Sequence, residues 1–284
     1  MVKKVISLIL GIALILGISV ASADATRVII ATEGAYAPYN YVDENGNPDG
    51  YDIAVAKAVD ELLENYEFEY VAVEWSSIFA GLEADRYQVL VTQASKTAER
   101  EEKYLFGSTA YTWGAGAIAY LKGREGITGL ASIANTDLTL SVAVGSSNEN
   151  IVLTWNREHP DQQVNIVYND GDISKALLDV QEGRVDATLV SPAVAANVIG
   201  TQGLNVDYKL RDEATVESTY WLFSQTDAYA ETNRELAARV DEALQTLIDN
   251  GTLARSASSI LVRIIPRKKP SCPGSAAPND HKLL

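Results

Sequence analysis

The chain has 284 residues and a formal charge of −15 at neutral pH. A surface that acidic repels nucleic acid and anionic lipid, so neither is expected as a partner. With two His and one Cys, the latter at Cys272 near the end of the chain, no intramolecular disulfide is possible and no metal site or other cofactor is expected. The apolar fraction of 47%, with four Trp and fourteen Tyr, is that of a folded chain, long enough for one large domain or two small ones.

Lys3 and Lys4 precede an apolar run from Val5 to Val20 and then SVASADA, the order of a secretory leader cut after Ala23 or Ala25. The run is shorter than the roughly 20 residues a membrane span needs, so residues 1–23 read as a signal peptide. Neither cleavage point is followed by cysteine. The expected product is therefore exported, periplasmic or extracellular, without a lipid anchor, and its charge falls to −17 once the two lysines are lost.

In chain order, RVIIAT (27–32) reads as a strand, and IAVAKAVDELLE (53–64) places Ile53, Ala56, Val59 and Leu63 on one helical stripe. A strand at FEYVAV (68–73), a helix near SSIFAGLEA (76–84) and a strand at QVLVT (88–92) follow. The theme returns as LTLSVAV (138–144), a helix from about 148 to 157, VNIVY (164–168), ISKALLDVQEG (173–183) and DATLV (186–190). Such alternation implies parallel sheets with helices on both faces. Between the halves lies YTWGAGAIAYLKGREG (111–126), glycine-rich and extended; ESTYWLF (217–223) reads as one more strand. A long helix over 233–249 closes with Asn250 and Gly251 as a C-cap signal. The pattern predicts two α/β lobes, 26–116 with 221–256 and 117–220, linked near 116–120 and 216–221. Ligands then sit at the carboxyl ends of strands, in the cleft between the lobes.

Three loops after strands carry candidate chemistry. In TQASKTAER (92–100), Thr97 is placed to cap a short helix and Arg100 falls in its first turn. A cation there opposes the helix dipole. It is either solvated beside Glu99, Glu101 and Glu102, or held as a planar fork for a carboxylate. In VGSSNEN (144–150), Ser146 and Glu149 have capping-box spacing, so the loop is an ordinary capped helix or an anion seat made by free N–H groups. In TEGAYAPYNYVDENGNPDGYD (32–52), Tyr36, Tyr39 and Tyr41 follow the first strand. Most such rings pack in cores; Tyr36, with Trp75 opposite, is the candidate pocket wall.

Together, EGAYAPYNYVDENGNPDGYDIAVAKAV, EWSSIFAGLEADRY, the S-x-T-x-x-R of SKTAER, VGSSNE and EGRVDA resemble the family 3 extracellular solute-binding proteins, over about residues 27–251. The pattern is most similar to their cystine and polar amino-acid branch. The resemblance implies a type II periplasmic-binding fold, with the ligand cleft between two α/β lobes joined by a two-segment hinge. It also implies a monomer that binds a small amino acid and delivers it to an ABC permease at the inner membrane, with no chemistry of its own. Arg100 and the N–H groups at Ser146 and Ser147 would clasp the α-carboxylate from opposite lobes. Ser95, with the carbonyl or side chain of Gln93, would meet the α-ammonium. Tyr36 and Trp75 would flank the ligand's side chain, and Glu33 would face a polar or basic tip.

Two departures stand out. In DATLVSPAV, Ser191 occupies the place where the family usually carries the aspartate that pairs with the α-ammonium; its hydroxyl can accept one hydrogen bond but brings no counter-charge, so either another carboxylate compensates or the ligand is not a standard α-amino acid. After GTLAR the family typically ends in a segment like K-Y-F-G-E-D-Y-T-P, whereas this chain reads SILVRIIPR (259–267), a peptide that one nucleotide string encodes in the neighbouring frame. Residues 257–284 are accordingly read as an atypical tail, the product of a frame change near residue 255, with no function assigned.

Two other functions fit the fold. The resemblance extends to exported dehydratases of cyclic carboxylic acids, which suit a ligand lacking an ammonium, with Glu33 as the acid. A ligand-presenting protein for a separate sensor is the other. No Ser-His-Asp or Cys-His set is apparent; His159 and His281 read as solvated.

Overall fold

The computed structural model describes residues 25–264. The leader at 1–23 and the tail from residue 265 on, with Cys272 and His281, lie outside the described residues. Two five-stranded sheets organise the rest, and both follow the same strand order. In the first, Thr26–Thr32 lies parallel between Tyr66–Ala72 and Val89–Leu90, and Leu222–Phe223 and Leu105–Phe106 extend the sheet antiparallel. In the second, Thr139–Ala143 lies parallel between Asn165–Asn169 and Ala187–Val190, with Ala117–Leu121 and Val206–Leu210 added antiparallel.

Each sheet is apolar on both faces because helices cover both. Ile30, Val55, Val59, Trp221, Phe223, Leu236 and Val240 form the main core of the first lobe, and Ile78, Leu82, Leu90 and Leu222 pack a second cluster. In the second lobe, Ile118, Leu140 and Leu189 meet Val152 in one cluster, while Ala119, Leu177 and Val194 pack in another. The stripe read at 53–64 is helical only over Tyr51–Asp60. Beyond Asp60 the chain tightens into turns, with Leu62 N on Val59 O and Leu63 N on Asp60 O, which still bury Leu63.

Thr112–Ala115 and Val216–Thr219 cross between the lobes as an antiparallel two-stranded ribbon. The first crossing lies earlier than the expected 116–120, because Ala117–Leu121 is already hydrogen-bonded into the second sheet. ESTYWLF is two strands, not one: Val216–Thr219 belongs to the ribbon and Leu222–Phe223 to the first sheet. Between them Tyr220 N donates to Ala94 O, 3.0 Å, and Trp221 is fully buried, so the chain changes sheets at an anchored point.

The long helix spans Ala230–Asp249, and Gly251 takes the left-handed conformation (φ 74°) that the C-cap signal called for. The chain then forms a further helix, Thr252–Ile264. Leu253 is buried, and Ala257, Ile260 and Leu261 pack on the first lobe's core, so the boundary expected at residue 257 falls inside a docked helix. Leu253→Ala should cost about 2–4 kcal/mol, a fall in Tm of roughly 5–15 °C for a chain of this size. An unchanged midpoint by differential scanning calorimetry would mean that the segment past Gly251 adds nothing to the fold.

Candidate functional site

The carboxyl ends of the parallel strands of both sheets meet in one cleft, as the alternating order of elements requires. From the first lobe come Glu33 after Thr26–Thr32, Trp75 after Tyr66–Ala72, and Thr92 and Gln93 after Val89–Leu90. From the second come Ser146 and Ser147 after Thr139–Ala143, Gly171 after Asn165–Asn169, and Thr188 and Leu189 near the end of Ala187–Val190. They enclose a cavity of about 90 Å³, which suits a small molecule and no polymer. Glu33, Tyr36, Trp75, Gln93, Arg100, Ser146 and Ser147 all line it. Ser95 and Ser191 do not: they line an adjoining chamber of about 110 Å³ that shares Tyr36, Gln93, Ser147 and Asn148 with the first.

Arg100 is held by the short helix Ala98–Lys103, whose cap is Thr97: Arg100 N donates to Thr97 Oγ1 at 3.2 Å. The guanidinium is 6% exposed and does not reach the neighbouring glutamates. Nη1 donates to Ser95 O at 3.0 Å within its own lobe, and Nη2 to Gly145 O at 2.8 Å across the cleft. Its plane lies over the rings of Phe79 and Trp75, 4.8 and 5.6 Å from their centroids. It forms no ion pair among the described residues, and burial pushes its pKa down to about 10. At neutral pH it is a buried cation with unused N–H donors beside a cavity, an arrangement that awaits an anion.

Ser146 caps the helix Ser147–Glu158: its Oγ accepts from Glu149 N at 3.1 Å, and Glu149 Oε2 accepts from Gly145 N at 2.5 Å. The amides of Ser147 and Asn148 fall in the first turn, where the helix offers them no acceptor, and both residues line the cavity. The cap and the anion seat are therefore compatible uses of one loop.

The other wall is acidic. Glu33 is buried, and desolvation, then Asp52 and Asp172, raise its pKa to about 8. Asp52 is wholly buried behind it. It accepts from Asn40 Nδ2 at 2.7 Å and from Gln93 Nε2 at 2.6 Å, and burial raises its pKa to about 7 despite those bonds. The Gln93 side chain is fully occupied, because its Oε1 also accepts from Thr112 Oγ1 at 2.7 Å. Gln93 itself is left-handed (φ 54°), a strained backbone of a kind that clusters at binding sites. This network argues against the Gln93 side chain as a ligand group; it ties the cleft floor to the hinge ribbon instead.

The lobes are in contact. Trp75 Nε1 donates to Val144 O at 2.9 Å, and the indole lies against Gly171, where a Cβ would come within 2.8 Å of Trp75 Cβ. Tyr36 and Tyr39, stacked with centroids 5.9 Å apart, pack against the second lobe's core. Thr92, Asn148, Asn169, Ile173 and Thr188 also line the cavity without having been singled out by sequence reasoning, and Asp52 stands behind it. Asn169 was findable as the last residue of a parallel strand. Asp52 was hidden because an acid in a helix's first turn reads as a complement to the dipole.

A model of the bacterial extracellular solute-binding proteins, family 3, matches residues 28–260. The L-cystine-binding protein TcyK of Bacillus subtilis is 27% identical over 233 residues, 80% of this chain and 81% of that protein. The L-cystine-binding protein TcyJ of Escherichia coli is 26% identical over 261 residues, 86% of this chain and 90% of its own length. A solved structure from work on glutathione import via GshT and the cystine ABC importer TcyBC of Streptococcus mutans superposes with a TM-score of 0.74 at 28% identity, covering 84% of this chain and 95% of that one. The two lobes are thus those of the type II periplasmic-binding fold.

Two expectations follow from the cleft. Gly171→Ala should weaken ligand affinity by about tenfold or more, since closure would press its methyl into Trp75 at a φ of 102°; calorimetry giving wild-type affinity would remove Trp75–Gly171 as a closure contact. Glu33 holds a proton in the folded state up to about pH 8, whereas the unfolded chain releases it near its ordinary value of 4.5. The ligand-free protein should therefore lose stability as pH rises through that window, and Glu33→Gln should flatten the slope. Urea midpoints with the same pH slope in both proteins would contradict the assignment.

Proposed function

The chain belongs to the bacterial extracellular solute-binding proteins, family 3, and on that premise we propose that it captures a polar α-amino acid, cystine foremost, and hands it to an ABC importer. The reading includes export by the leader at 1–23, no lipid anchor, action as a monomer and no catalytic turnover. The observation that carries it is Arg100: a buried guanidinium with donors to both lobes and no protein carboxylate, beside a small cavity whose opposite wall holds Glu33. An α-amino acid supplies the missing anion to Arg100, and a polar or cationic tip meets the acidic wall at Glu33. The amides of Ser147 and Asn148 add donors to the carboxylate from the second lobe. Glu33 faces the ligand's tip, between the rings of Tyr36 and Trp75. The names of TcyK and TcyJ support cystine, and the glutathione connection of the Streptococcus structure supports a cleft that takes larger amino-acid derivatives.

Transport follows from closure. Arg100 and Trp75 each bond across the cleft, so a ligand that completes Arg100's coordination favours the closed state that an importer recognises. A second reading, dehydration of a cyclic carboxylic acid, draws on Glu33 alone, which retains a proton at neutral pH and so is able to act as an acid.

Thermal unfolding against cystine, glutathione, polar amino acids and cyclic carboxylates separates the two. A ligand present at 100 times its Kd stabilises by about 2.7 kcal/mol, so a rise with cystine or a polar amino acid is expected. Arg100→Ala should cost that ligand at least about a hundredfold in affinity, from the loss of a buried charge partner. A shift with cyclic carboxylates alone, accompanied by turnover of prephenate or arogenate, would replace the transport reading.

A further inference from the structure

The adjoining chamber has one charged side chain among the described residues that line it, Glu217. The residue stands on the hinge ribbon, where Glu217 pairs with Gly114 and Thr219 with Thr112. Residues two apart on a strand share a face, so Glu217 and Thr219 lie on the side of the chamber they both line; Glu217, 32% exposed, also borders a surface pocket that it shares with Arg211 and Glu213. The partner position is empty by composition: a side chain at Gly114 would meet no atom within 4 Å. No side chain from the opposite strand therefore stands beside Glu217.

One oxygen of this carboxylate is fixed. Arg211, buried at 3% side-chain exposure, donates from Nη2 to Glu217 Oε1 at 3.3 Å and lies 3.7 Å from Glu213 Oε1. Arg211 itself passes over Gly116, where a Cβ would come within 2.6 Å of Nη2, so the guanidinium has its own slot. The second oxygen, Oε2, accepts no hydrogen bond among the described residues. Ser95 and Ser191 bring two hydroxyls to the same chamber, and its wall of Ser147 and Asn148 is also a wall of the Arg100 cavity.

We propose that Glu217 is the counter-charge of the ligand's α-ammonium, with Ser95 and Ser191 as hydroxyl acceptors beside it. The proposal rests on the amino-acid reading above. A carboxylate at Arg100 puts the neighbouring ammonium near the boundary between chambers, and an ammonium enclosed by a closed cleft requires an anion. Ser191 supplies none, and Glu33 lies in the other chamber among Trp75, Gly171 and Ile173. Glu217 makes the cleft selective for α-amino acids over the matching carboxylic acids, and places that selection on the hinge.

Calorimetric titration of the full chain with two pairs tests this: glutamine against glutaramate, which differ in the single α-ammonium and decide the question, and cystine against 3,3′-dithiodipropionate, which lacks both of cystine's ammonium groups. Wild type should prefer the amino acid by about tenfold or more, the scale of a charge-assisted bond. Glu217→Gln should reduce that preference to about threefold or less while leaving the des-amino acids bound as before. Because two ligands are compared on one variant, a general loss of folding cancels. An equal loss for both members of a pair, or a preference that survives the substitution, overturns the role of Glu217 and leaves the transport reading standing. If wild type binds neither cystine nor glutamine, the same comparison is run on whichever polar amino acid stabilises it against its des-amino acid, and binding of no amino acid at all overturns the amino-acid reading and the inference with it.

Discussion

The cleft depends on one unpaired buried charge. Arg100 reaches a carbonyl in each lobe, Ser95 O and Gly145 O, and stacks on Phe79 and Trp75. None of these neutralises it. Carbonyl dipoles and ring faces make a guanidinium tolerable in a low-dielectric place, but they leave its charge to be met from outside the chain. The helix Ala98–Lys103 is so short that Arg100 belongs to both its first and its last turn, so the helix dipole does nothing to offset the cost of burying the charge. Sequence, helix and lobe contact thus converge on a cation kept available at a cost, which is the condition for binding an anion selectively.

The acidic wall works by the opposite logic. Glu33 and Asp52 are buried with no cation beside them among the described residues, so burial dominates and both carboxyls are pushed toward the neutral form. Asp52 is shielded by Asn40 and Gln93, whereas Glu33 is open to the cavity. A cationic group on a ligand reverses the balance at Glu33, because the ionised carboxylate then has its partner. The two walls therefore prefer a dipolar ligand to either ion alone.

Much of this was legible in the sequence. Strand and helix alternation gave two lobes, and the rule that ligands lie at strand ends led to the loops of Arg100, Ser146 and Tyr36, with Trp75 opposite; Glu33 and Gln93 came from the family resemblance. Thr97, Ser146 and Gly251 were readable as caps because capping is local. What escaped depends on distant partners. ESTYWLF looks continuous, yet its halves pair with different sheets, and only strand partners eighty or more residues away decide that. The resemblance left the carbonyl or the side chain of Gln93 to meet the ligand; the side chain turns away to Asp52 and Thr112 through a left-handed backbone that no pattern announces. The part of the helix Thr252–Ile264 from residue 257 on was set aside as an atypical tail because its sequence departs from the expected ending, although Ala257, Ile260 and Leu261 continue from Leu253 at the spacing of a buried stripe.

Both passages between the lobes are strands of a single hydrogen-bonded ribbon, Thr112–Ala115 with Val216–Thr219, cross-linked further by the hydroxyls of Thr112 and Thr219. Such a ribbon is stiff along its length and against sliding of one strand past the other, and compliant only in bending and twisting. The relative placement of two rigid bodies normally takes six coordinates; here four of them are effectively clamped. Any change in the cleft is left to the remaining two, a bend and a twist, and two interlobe distances, followed over time, would describe it.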